Sequence, residues 1–264
     1  MSDPNPQTYA PTPFAEPATP AAPSMSTPET LTGIFFEPER TFEALRARPR
    51  FLIAALVTLA AFMAFFFLFI QRMGLEEIAR AQMLARNPDM TAEQLSQGMR
   101  AMANPVVRVL VYLQPLIGLL IVIAAGAGLY LLGTMAMAKT MSYRQALSVW
   151  VYSSLPPTVL LMILNIIILF LRPPEGNSAI AQAVSRGLVQ ANPSLLVNAS
   201  EHPVLATALA ALDLFAFYGL FLAALGLRKV ARLSSGSAWA IVLTIWLIGV
   251  ALRIALATAF GSAS

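Results

Sequence analysis

The chain has 264 residues, 58% hydrophobic and only 11% charged, with a mean hydropathy of +0.70. A soluble domain carries about a quarter charged residues, so this composition excludes an ordinary water-soluble fold and makes lipid the solvent for much of the chain. The net charge is +4, but the 17 Lys and Arg are scattered over flanks and loops, which argues against nucleic acid as a partner. The absence of Cys excludes disulfides, thiolate metal sites and Cys nucleophiles.

The first 30 residues carry eight prolines among Ala, Ser and Thr and no apolar run, the composition of a disordered tail. A membrane domain is expected over 31–264. Its first stretch, LTGIFFEPERTFEALRARPR, places Phe42 and Leu45 on an amphipathic turn beside Arg46, Arg48 and Arg50. That is the pattern of a segment lying on an anionic membrane surface.

Apolar runs then predict five spans, at about 51–71, 109–133, 146–171, 204–227 and 238–259. Each is long enough to cross a hydrocarbon core of about 30 Å at about 1.5 Å per residue. The fold class is therefore all-α, a polytopic membrane helical bundle. Pro156-Pro157 removes two backbone donors from the third run and should kink or break it. Between the first two spans, Thr91-Ala-Glu-Gln94 reads as a capping box and Asn87-Pro88 as a helix end, which together predict a helical hairpin. The loop after the third span should hold one short helix.

Orientation follows from the flanks. Arg40, Arg46, Arg48, Arg50, Lys139, Arg144, Arg228, Lys229 and Arg232 fall on one side in short segments. The opposite side has Arg72, Arg80, Arg86, Arg100, Arg108, Arg172 and Arg186, diluted by acids in longer loops. Positive-charge density makes the first side, with the amino terminus, cytoplasmic.

Two ionisable residues fall inside apolar runs: Asp213 in the fourth and Arg253 in the fifth. In an antiparallel hairpin they reach depths within about 3 Å of each other. Three readings stand for them: a structural ion pair, a proton or ion relay, or an Arg253 that snorkels while Asp213 bonds a hydroxyl or water. Gln114, Asn165 and Tyr218 could line a pathway or supply interhelical hydrogen bonds, while Pro156 counts with helix packing or lining, and Gly126, Gly128 and Gly219 mark close helix contact. Self-association into a homo-oligomer is left open. No HExxH, GxSxG or phosphate loop is present, and His202 is the only histidine. No catalytic residue, metal site or cofactor is therefore expected, and the chain does not read as an enzyme.

Several short motifs in order carry a family likeness. They are Pro38-x-x-x-Phe42 before the first span, Tyr143-Arg-Gln-Ala146 running into Tyr152-Ser-Ser-Leu-Pro156, and Asp213-Leu-Phe215 followed by Gly226-Leu227, a basic loop and Ser235. Over about residues 31–260 the chain resembles the bacterial branch of the Yip domain family, the Ypt-interacting proteins. The resemblance implies a membrane adaptor or organiser in a bacterial inner (plasma) membrane, with the bilayer and other membrane or membrane-associated proteins as partners. Eukaryotic members bind prenylated Rab-type GTPases and assist vesicle traffic. This chain has a short proline-rich tail where they carry an acidic, aromatic motif. The competing reading is a small transporter or channel using Asp213 and Arg253.

Overall fold

In the computed structural model the described residues are 25–198 and 201–260, and the remainder, including most of the segment read as tail, lie outside them. Helix α1 (Thr27–Phe36) opens on a capping box, in which Glu29 N donates to Ser26 Oγ and Ser26 N to Glu29 Oε2. The chain is thus already helical inside the last residues of the proline-rich stretch. Pro38 disfavours a helical conformation at Glu37, so α1 ends there and α2 (Pro38–Ala47) begins.

The spans follow as α3 (Leu52–Met73), α6 (Pro105–Ala136), α7 (Tyr143–Leu171) and α11 (Ser235–Phe260), with a bent pair, α9 (Pro203–Ala210) and α10 (Leu214–Val230). Four helices are long and apolar enough to cross a membrane, and the bent pair makes a fifth span if its halves, 45° apart, are taken together. Between α3 and α6 stand α4 (Leu75–Arg86) and α5 (Ala92–Met102), the expected hairpin, with the Thr91/Gln94 capping box formed. Helix α8 (Gly176–Arg186) and a short 3-10 turn at Pro193–Leu196 fill the loop before α9.

Of the kink or break expected in the third span the break does not occur: α7 runs unbroken through Pro156 and Pro157. Both prolines are buried in the bundle, where packing from several sides holds the helix together. Helix α10 meets this step at Gly219, where a Cβ would stand 3.6 Å from Pro157 Cγ and 3.8 Å from the Ser153 carbonyl. That carbonyl is one of the two acceptors the prolines leave without a helical donor.

Two apolar clusters organise the bundle. The larger joins Ile34, Phe42 and Leu45 of the amino-terminal helices to Val149 and Tyr152 of α7 and to Ala223 and Leu227 of α10. The smaller, at the other end, joins Phe69 and Ile70 of α3 to Ile78 of α4, Leu169 of α7 and Ile180 of α8. The amphipathic face of α2 is therefore covered by protein, which corrects the expectation that it lies on lipid. Phe42 and Leu45 are wholly buried, because α10 presents Gly226 beneath them. A Cβ at 226 would come within 2.9 Å of both Phe42 Cε1 and Val149 Cγ1.

Phe42→Ala should therefore destabilise the protein by about 3–5 kcal/mol, the usual result of emptying a buried aromatic site. Phe36→Ala, at a side chain 85% exposed, should change little. Thermal melts in detergent check this, and equal effects of the two substitutions would contradict the docking of α2.

Candidate functional site

The amino-terminal end of the bundle is built around one charged seam. Helix α2 places Glu39 and Glu43 four residues apart, on one face. They meet the last turn of α10: Arg228 reaches Glu39 at 2.8 Å, and Lys229 reaches Glu39 at 2.9 Å and Glu43 at 2.7 Å. Cations in the last turn of α10 also suit its dipole. The hydrogen bond and charge of Lys229, with Arg228 beside it, hold the Glu39 carboxyl below its ordinary range.

Hydrogen bonds extend the seam to α7 and α1. Gln145 Nε2 donates to the Arg46 carbonyl at 2.9 Å, tying the end of α2 to the start of α7. A buried bond of 3.0 Å joins Thr30 Oγ1 to the Tyr152 hydroxyl, and Arg50 donates to the Met25 carbonyl and Thr27 Oγ1. Among the described residues, Arg46, Arg48, Lys139, Arg144 and Arg232 form no ion pair, so the acids of this end are engaged while these five cations stay available.

Asp213 and Arg253 are not brought together: no ion pair joins them among the described residues. The sequence reading took 204–227 as one helix with Asp213 near its middle, but the helix stops at Ala210 and restarts at Leu214, with Asp213 as its N-cap. Asp213 Oδ1 accepts from Phe215 N (2.9 Å) and Ala216 N (3.2 Å), and Oδ2 accepts from Asn192 Nδ2 at 3.1 Å. Leu214 N also donates to the Ala191 carbonyl. The loop around 191–192 thus stitches the break, and the carboxylate neutralises a helix N-terminus. Arg253 is exposed on the outer face of α11 between exposed Leu252 and Leu256.

Asn165 bonds to its own helix and to a loop in place of the expected interhelical bond. Its Oδ1 accepts from Leu188 N at 2.7 Å and Val189 N at 3.1 Å, while its Nδ2 donates to the Leu161 carbonyl. It therefore anchors the same long loop that Asn192 ties to Asp213. Gly126 receives the Trp150 ring face-on against α6, whereas Gly128 has open space around it, so only the first marks a close contact within this chain. Pro156 is buried, Tyr218 and Gly219 are half-buried, and Gln114 is exposed on α6. Nothing in the sequence reading singled out Glu39, Glu43 or Lys229 as partners, although their i, i+4 spacing and the adjoining Arg228-Lys229 dipeptide offered the signal.

Two predictions follow from this geometry. Asp213→Ala should cost about 1–2 kcal/mol of stability and Asp213→Asn much less, since Asn also caps helices. Arg253→Gln combined with either should be additive within about 0.5 kcal/mol, and a larger coupling in melts of the double mutants would restore the ion pair. For the seam, Glu39→Gln should cost under about 1 kcal/mol at neutral pH, because the pair faces solvent. A carboxyl depressed on folding stabilises above its unfolded value, near about 4.3, and loses that contribution as pH falls through the lowered folded value. The gap between wild type and Glu39→Gln should therefore close below about pH 4, and a gap that widens on acidification contradicts the pairing.

Comparison with known proteins adds one positive result. No curated protein and no solved structure matches the chain. The model of the Yip1 domain, however, matches residues 32–256, from α1 almost to the end of α11. The multi-pass helical architecture agrees with this match over most of the sequence, and the chain belongs to the Yip1 domain family.

Proposed function

We propose that this protein is a non-enzymatic membrane adaptor, a helical scaffold that presents its folded amino-terminal end to other membrane or membrane-associated proteins. The observation that carries this reading is the use made of the polar groups within the spans. Thr58, Thr134, Ser148 and Ser153 bond to carbonyls of their own helices, Asn165 anchors a loop, and Asp213 caps α10. Side chains held in this way serve helix packing, whereas a conduit needs polar groups free to exchange partners along a path. By contrast, the amino-terminal end combines a rigidly docked helix pair with five cations outside any ion pair among the described residues. Charge of that kind selects and orients partners.

The density of Lys and Arg in the short segments supports a cytoplasmic location for this end. The family likeness of the bacterial branch supports a bacterial inner membrane as its site. A reporter active only outside the cytoplasm should give signal when fused after residue 264, and signal from an amino-terminal fusion instead would reverse the orientation. For the role itself, photo-crosslinkers at Arg48, Lys139 and Arg232 should capture a defined protein set in intact membranes, and charge-reversing substitutions at these positions should deplete it. Ion or proton flux in proteoliposomes that vanishes in Asp213→Asn while the fold persists would replace the adaptor by the transporter.

A further inference from the structure

A groove between α4 and α5, at the end of the bundle opposite the charged seam, has the build of a lipid site. It is an open groove of about 480 Å³, lined by Arg80 from α4 and by Ala92, Leu95, Ser96, Met99 and Arg100 from the α5 side. The helices close on one another at Gly98, where a Cβ would stand 2.7 Å from Met83 Sδ, so glycine sets the groove's width.

Chemistry divides the groove in two. Leu95 and Met99 lie one turn apart on the apolar face of α5, a helix with no buried residue, so no protein covers that face fully. Arg80 and Arg100 flank it, and neither guanidinium forms an ion pair among the described residues. Of the acids nearby, Glu76 is held by Arg108 at 3.3 Å, and Glu77 and Glu93 are exposed and make no ion pair among the described residues. The groove is also fixed in depth: Ala103 and Asn104 alone separate α5 from span α6, and α4 follows span α3 after Gly74. Two unpaired guanidiniums over an apolar floor, held at the ends of two spans, complement a phosphate carried on acyl chains.

We propose that this groove binds an anionic membrane phospholipid, its phosphate between Arg80 and Arg100 and the start of its acyl chains against Leu95 and Met99. The occupant comes from the leaflet in which α3 ends and α6 begins. This site is independent of the adaptor reading, and either can fail alone.

The test uses the full chain in phosphatidylcholine nanodiscs doped with phosphatidylglycerol, with retained lipid counted by native mass spectrometry after delipidation. Wild type should keep phosphatidylglycerol preferentially. R80Q/R100Q should lower that preference on the order of tenfold, and Leu95→Ser/Met99→Ser should lower retention of both lipids. Arg172→Gln, at the same end but outside the groove, should leave the preference unchanged. All four side chains changed in the groove lie at the surface or half-buried, and melting curves should remain near wild type. Retention unaltered in R80Q/R100Q overturns the site. An equal loss in Arg172→Gln reduces it to general charge attraction, and displacement by soluble glycerol phosphate as effective as by lipid overturns the assignment to a membrane lipid.

Discussion

The contact on which the amino-terminal end depends is the seating of Phe42 over Gly226. Three helices meet at that point, since Val149 of α7 is as close to Gly226 as the Phe42 ring is. A residue with a side chain there would push α2 away from α10 and α7 together. With the ring in place, Glu39 and Glu43 are carried within reach of Arg228 and Lys229, Gln145 reaches the Arg46 carbonyl, and Thr30 reaches Tyr152. The order of importance follows from magnitudes: burying the aromatic ring contributes several kcal/mol, while the solvent-facing ion pairs add fractions of one and chiefly fix orientation. The apolar contact holds α2 in place, and the charges set its register.

Lipid imposes the second constraint. Within hydrocarbon each polar group needs a partner from the protein, and here the long loop between α8 and α9 supplies several. It gives the amides of 188 and 189 to Asn165, the side chain of Asn192 to Asp213 and the carbonyl of 191 to Leu214. The bent span and the unbroken proline helix are thus complementary. Where α10 starts, a loop satisfies its freed amides, and where α7 loses donors at Pro156 and Pro157, Gly219 lets α10 pack directly on the step. Both devices hold α7, α10 and the loop before α9 together inside the bundle.

Much of the fold was legible in the sequence because its signals are local. Apolar runs of about 20 residues define spans regardless of their partners, and Thr91 with Gln94 defines a helix start within four residues. The misreadings came where a distant segment changed the outcome. Asp213 looked mid-span because the apolar run continues through it, and only the loop around Asn192 explains why the helix stops there. Pro156-Pro157 allowed a break as well as a kink because the packing of α10 on that step is not visible from α7 alone. Phe42 and Leu45 showed an apolar face correctly, but an amphipathic helix docked on protein and one lying on lipid share the same periodicity. What distinguishes them is Gly226, some 180 residues away.

The native sequence contains no Cys, so a single introduced pair reports without background. Glu43→Cys with Lys229→Cys, treated with a short bifunctional thiol reagent in intact membranes, measures the docking of α2 on α10 directly. The account predicts efficient intramolecular cross-linking of this pair and little from Ala47→Cys with Lys229→Cys, since Ala47 is exposed at the far end of α2. Absence of the first cross-link in a folded, membrane-inserted protein would contradict the docking of α2 on α10.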